Sequence, residues 1–147
     1  MKEWFEDESL WRELFGYFAA REDDLTVLQN VRAGLRRGGA FLIDVVGKEW
    51  LARHFQPTRS TALPDGSVFI DHCTVVDDWS GVENEWILVR DGRARTFRLR
   101  LSVYSGQELK DRLLTAGISR VNLYGDLDGA PYDREASRLV AVARVAT

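Results

Sequence analysis

Carboxylates, phenols and basic side chains gathered behind two short apolar runs are the residues of this sequence best suited to chemistry. Asp44, Lys48, Glu49, Trp50 and Arg53 follow the run "AFLIDVV". Tyr124, Asp126, Asp128, Tyr132 and Asp133 follow or close the run "ISRVNLYGDLDG". If both runs are strands of one direction, their C-terminal ends share an edge, and open α/β sheets hold ligands at that edge. Carboxylates placed there suit a bound amine or hydroxyl. The same residues also suit a helix cap, surface charge and an Asp/Gly turn. Residue type alone assigns no catalytic role, because a perturbed carboxylate is invisible in sequence.

Other chemistries fit less well. Asp126, Asp128 and Asp133 invite a calcium-loop reading, but "DLDGAPYDREAS" lacks the glutamate that such a loop needs at its twelfth position. His54 and His72 have no paired ligand spacing, so zinc is not expected, and no metal is assigned. Cys73 has no base near it in sequence and reads as a buried thiol. "RDGRARTFRLR" is basic and carries an aromatic. Its hairpin register sets glutamates opposite Arg98 and Arg100, so a self-neutralised sheet face is expected rather than a nucleic-acid surface.

These residues need elements to hold them. Apolar spacing from Trp4 to Phe15 predicts an amphipathic N-terminal helix. A second helix is expected over about 23–36, with Asp23 or Asp24 as cap and Gly38-Gly39 as stop. "AFLIDVV" is nearly all apolar, which predicts a strand covered on both faces. "KEWLARHF" follows as a short helix and "QPTRSTALPDG" as a loop. Three antiparallel strands are expected between Ser67 and Ser105. Asp91-Gly92 closes the second hairpin, because a type I′ turn needs positive φ at both central residues. That turn sets Arg90 opposite Arg93, Trp86 opposite Phe97, Glu85 opposite Arg98 and Glu83 opposite Arg100. "SGQELKDRLLTAG" is a helix with Ser105 and Glu108 as a capping box and Gly117 as its stop. A strand near 120–125 and a last strand near 138–145 complete the pattern.

Composition sets the outer limits. The chain has 147 residues, enough to bury about 70% of its unfolded surface in one domain. Its net charge of −3 gives no general attraction to nucleic acid or an anionic membrane. The apolar runs are too short to span a bilayer. The acidic N-terminus is unlike a secretory signal, and the single cysteine makes no internal disulfide. A cytoplasmic location is expected.

The phrases "DDLTVLQNVRAGLRRGGAFLIDVVGKEWLARHF", "VDDWS", "ILVRDGR" and "YSGQELKDRLLTAGI", in this order, resemble the C-terminal half of a class I S-adenosylmethionine-dependent methyltransferase of the small-molecule branch. The likeness covers about 22–145, and "MKEWFEDESLWRELF" resembles the family's N-terminal helix. It implies an α/β fold: a truncated Rossmann-like sheet carrying an inserted three-stranded antiparallel meander as a lid. The implied plan is a single domain over 1–147, with the N-terminal helix over 1–15, core over 16–65 and 105–147, and lid over 66–104. The implied cofactor is S-adenosylmethionine and the implied substrate a small molecule. The implied site gathers Tyr17, Phe18, Asp44, Lys48, Glu49, Trp50, Arg53, Tyr124, Asp126 and Tyr132.

The family's acidic, glycine-rich cofactor loop, on the unit between the N-terminal helix and "FGYF", does not occur in this sequence. No G-x-G-x-x-G or D-x-G-x-G is present. Gly38-Gly39 follows a helix and precedes a strand, the wrong polarity for a cofactor-cradling turn. Impaired or absent cofactor binding is therefore expected, with a non-catalytic binding or structural module as the alternative. Apolar sheet surface left bare by the shortened core is expected to be covered by a second copy, as a homodimer.

Overall fold

The computed structural model describes residues 21–147. The helix expected over 1–15, and Tyr17 and Phe18, lie outside the described residues. In chain order the elements are α1 (Arg21–Gly34), β1 (Ala40–Val45), α2 (Lys48–His54), β2 (Thr58–Ala62), β3 (Val68–Val76), β4 (Gly81–Arg90), β5 (Arg93–Ser102), α3 (Gly106–Thr115), β6 (Arg120–Tyr124) and β7 (Leu139–Arg144). They form two sheets, one of order β1-β7-β6 and one of order β2-β3-β4-β5.

β7 lies between β1 and β6 and runs antiparallel to both. β1 and β6 therefore share a direction without touching, and their C-terminal ends do fall on one edge. Phe41 and Ile43 of β1, Val121 of β6, and Leu139, Ala141 and Ala143 of β7 share one sheet face. Leu28 of α1 and Leu109 and Leu113 of α3 pack onto it. Leu109, Leu113 and Leu139 are wholly buried, and each such side chain contributes about 1.5–3 kcal/mol by leaving water. The small Ala141 and Ala143 let the helices approach the middle strand. The register puts Leu42 and Asp44, Val142 and Val140, and Asn122 and Tyr124 on the opposite face.

α1 begins earlier than its acidic residues suggest and ends at Gly34, so Asp23 and Asp24 lie inside the helix. Asp24 is fully buried and accepts a hydrogen bond from the Tyr104 hydroxyl, which ties α1 to the segment entering α3. Past Gly34 the chain makes a separate turn, with Gly38 at φ 71° and the Gly39 N–H bonded to the Arg36 carbonyl. α3 starts on the expected capping box: Ser105 accepts from the Glu108 N–H, and Glu108 accepts from the Ser105 N–H. It stops at Gly117, whose φ of 91° only glycine adopts without strain.

The antiparallel sheet contains the three expected strands and a fourth. Residues 58–62, expected as a loop, form β2 against β3. All five residues of β2 are exposed, so it carries none of the apolar alternation by which a strand is recognised. Backbone bonding to β3 holds it, together with an ion pair from Arg59 to the buried Asp71 of β3 at 3.0 Å. The β4–β5 register is the expected one at every pair, and Asp91 (φ 49°) and Gly92 (φ 71°) have the positive φ values of a type I′ turn. One expected ion pair forms, Arg98 to Glu85 at 2.6 Å. The other does not: Arg100, opposite Glu83, pairs with Asp77 instead. The β3–β4 turn explains this. Asp77, Asp78 and Trp79 all have positive φ, and that left-handed run returns the Asp77 carboxylate to β5. The same turn presents Trp79 edge-on to Phe55, 6.1 Å away, and so braces the sheet against the end of α2.

Candidate functional site

β1 hands the chain to α2 through Val46-Gly47, and β6 hands it to a long loop over 125–138. α2, the N-terminus of α3 and this loop surround a cleft of about 530 Å³. That is a size suited to a small molecule. Glu49, Trp50, Arg53 and Tyr132, all expected in a site, line it together. Gly106, Gln107, Leu123, Asp133, Arg134 and Ala136 line it as well. Of these, Asp133 was among the carboxylates expected at this edge, and Gly106 had a signal in the Ser105 cap, which places its N–H at a helix start; the other four had none.

The cleft is organised around one carboxylate. Glu49 Oε1 accepts the Gly106 N–H at 3.0 Å, and Oε2 accepts the Tyr132 hydroxyl at 2.6 Å. A negative charge at the first turn of α3 is favoured by the helix dipole. Burial, then the hydrogen bond to Glu49 and its charge, push the Tyr132 phenol well above its usual range, with Arg53 opposing the shift. Tyr132 therefore remains a proton donor at physiological pH. Both Glu49 oxygens already have donors, so this pair positions the loop and is not poised as a base.

Tyr132 also fills space next to two glycines. A Cβ on Gly106 would lie 2.6 Å from the Tyr132 ring, and one on Gly47 would meet its hydroxyl. Arg53 donates to the Ala136 carbonyl at 2.9 Å, pinning the far end of the loop. Trp50 stacks on His54 with ring centroids 4.5 Å apart.

The remaining expected residues are held elsewhere. Asp44, buried on the opposite sheet face, pairs with Arg138. Lys48 pairs with Glu108 at 2.7 Å. Tyr124 shares the face of Asp44 and bridges to Pro131 through the backbone. Asp126 accepts the N–H groups of Asp128 and Ala130, and Asp133 that of Glu135, so both shape the loop. Among the described residues no three His, Cys, Asp or Glu side chains converge as metal ligands. Cys73 is half-buried on β3, and burial, then Asp71, push its thiol up. No described helix is long and apolar enough to cross a membrane.

The sheet order, the lid sheet and the cleft at the strand ends define an α/β fold of the methyltransferase type. No family model matches the chain, and no curated protein matches it. Solved structures do. The CcbJ methyltransferase from Streptomyces caelestis superposes with a TM-score of 0.76 at 19% identity, covering 90% of this chain and 53% of that one. A S-adenosylmethionine-dependent methyltransferase from Clostridium acetobutylicum gives 0.72 at 14% identity, with 90% and 55% coverage. CalS10, an amino pentose methyltransferase from Micromonospora echinaspora solved with S-adenosylmethionine bound, gives 0.56 at 16% identity, with 88% and 53% coverage. The chain thus has the methyltransferase fold and spans about half the length of the structures it matches.

Proposed function

We propose that this chain is a S-adenosylmethionine-dependent methyltransferase-type protein that retains the small-molecule side of the fold and is impaired in holding the cofactor. The observation that carries the reading is the pairing of a half-length structural match with a cleft at the shared C-terminal edge of β1 and β6. The residues described do not fit the cofactor. A nucleoside cofactor needs open glycine backbone at a strand-to-helix turn. The two such turns here, 46–47 and 103–105, contain one glycine, Gly47, and the chain's own Tyr132 fills the space beside it. No methyl-transfer step is therefore assigned to these residues.

Calorimetric titration with S-adenosylmethionine and S-adenosylhomocysteine tests this. No saturable heat is expected at cofactor concentrations up to about 100 μM, which corresponds to binding weaker than roughly −5.5 kcal/mol. Micromolar binding by the purified chain would overturn the reading.

A dimeric binding module is the second reading, and the lid favours it. The register puts Phe69, Trp86, Phe97, Leu99 and Leu101 on one sheet face, and Phe97 is 55% exposed. An exposed aromatic beside partly buried apolar side chains suits an interaction site, and a second copy presents an equal face. Light scattering after size exclusion is expected to give twice the chain mass. Phe97→Asp is expected to shift the population to monomer. A monodisperse wild-type monomer would refute the dimer.

A further inference from the structure

We propose that the lid binds a second copy of the chain by edge-to-edge strand pairing: β5 lies antiparallel to β5 of the other copy about a two-fold axis at Phe97, joining the two lid sheets into one. This rests on the dimeric reading above and names its geometry. β5 is an open edge of its sheet and ten residues long, and among the described residues no strand pairs with its outer side. The Asp91-Gly92 turn makes Arg90 and Arg93 a hydrogen-bonded pair, and antiparallel pairs alternate from there. The Val103 N–H on the Ser80 carbonyl keeps the same alternation at the far end. The N–H and C=O groups of Ala94, Thr96, Arg98 and Arg100 therefore point away from β4. Residues 93–98 are all exposed. The strand holds no proline, and its register with β4 runs without a bulge, so two common devices for blunting an edge are missing. Its arginines select a register instead of forbidding one. Like charges directly opposite are destabilising. Between Arg93 and Arg100, an axis at Arg93, Ala94, Arg95, Arg98, Leu99 or Arg100 sets two arginines opposite each other. Only Thr96 and Phe97 avoid this. An axis at Thr96 leaves the two copies of Arg95 as diagonal neighbours, and Arg95 has no ion-pair partner among the described residues. An axis at Phe97 leaves Arg98 there, whose charge Glu85 already balances at 2.6 Å. Phe97 of each copy then forms a non-hydrogen-bonded pair, the closer kind, and the two exposed rings cover each other.

Amide hydrogen exchange of the whole chain, read by NMR beside the mass from light scattering, tests this. The Thr96 and Arg98 N–H groups gain partners only when the edges pair. They are expected to exchange roughly tenfold or more slowly in the wild-type dimer than in Phe97→Asp. The Arg95 and Leu99 N–H groups, bonded to β4 in either state, are the internal reference. A second measurement keeps the test intact if Phe97→Asp does not fold. In a Cys73→Ser background, Phe97→Cys is expected to form an interchain disulfide on mild oxidation, because directly opposite positions bring Cβ atoms within about 4.5–5.5 Å. Arg95→Cys is expected not to, since it lies opposite Leu99 of the second copy. If the chain is dimeric but Thr96 and Arg98 exchange as fast as in the monomer, or Arg95→Cys links as readily as Phe97→Cys, the edge pairing falls while the dimer stands. If the wild-type chain is a monomer, both fall.

Discussion

Leu139→Ala is expected to lower the unfolding free energy by about 2–5 kcal/mol, the range for truncating a leucine that leaves a cavity. Leu139 opens the central strand of the core sheet and is 0% exposed. It registers against Val45 and belongs to the cluster that holds Ile43, Leu109 and Leu113. It also sits directly behind the cleft: a Cβ on Gly47 would lie 3.2 Å from the Leu139 Cβ. The void would thus open between β7 and the turn that launches α2, where neither backbone can close in cheaply. Urea unfolding followed by circular dichroism measures the loss. Leu114→Ala is the control, because Leu114 is 44% exposed on α3 and its truncation should cost no more than about 0.5 kcal/mol. Equal effects from the two substitutions would show that the core is not where the burial pattern puts it. A domain of this size has a total stability of about 5–15 kcal/mol, so the upper end of the loss would leave Leu139→Ala partly unfolded at room temperature.

The features legible in the sequence are those fixed by local chemistry. Asp91-Gly92 dictated a register correct along the whole β4–β5 hairpin, because the turn geometry sets the first pair and each later pair follows from it. Ser105 and Glu108 marked the start of α3, because a capping box acts within four residues. Features that depend on distant partners were not legible. β2 is a polar strand recruited by β3, and nothing in "TRSTA" announces it. Arg100 pairs with Asp77 rather than Glu83 because three left-handed residues redirect a carboxylate, which a register diagram does not contain.

The site divides in the same way. Glu49, Trp50 and Arg53 could be grouped because they follow one strand directly, and Tyr132 because its loop leaves a strand of the same direction. Which carboxylates were already engaged could not be read. Asp44 meets Arg138 across 94 positions of chain, and Glu49 meets Gly106 across 57. Those long-range bonds decide what each carboxylate holds in place, Asp44 the far end of the loop at Arg138 and Glu49 the start of α3.

Gly125→Ala is expected to lower the melting temperature by about 3–10 °C and to release Tyr132 from its seat. Gly125 closes the base of the loop that carries Tyr132. Its N–H bonds the Ala130 carbonyl at 2.8 Å, and its carbonyl accepts from Ser137 and Arg138 at 3.1 and 2.9 Å. A Cβ at this position would lie 2.5 Å from the Pro131 carbonyl oxygen and 2.9 Å from the Ala136 Cβ. The first of these is backbone, so no rotamer change relieves it and the loop itself must move. Pro131 immediately precedes Tyr132, and Ala136 supplies the carbonyl that Arg53 holds, so any such movement displaces both contacts. A double-mutant cycle isolates the consequence. In the wild-type background Tyr132→Phe should cost about 1 kcal/mol, since it removes a hydrogen bond to a charged acceptor in a half-exposed setting. In the Gly125→Ala background that cost should vanish, because the phenol no longer reaches Glu49. If the two substitutions add independently, Gly125 does not position the tyrosine, and the close packing at the loop base has no bearing on the cleft.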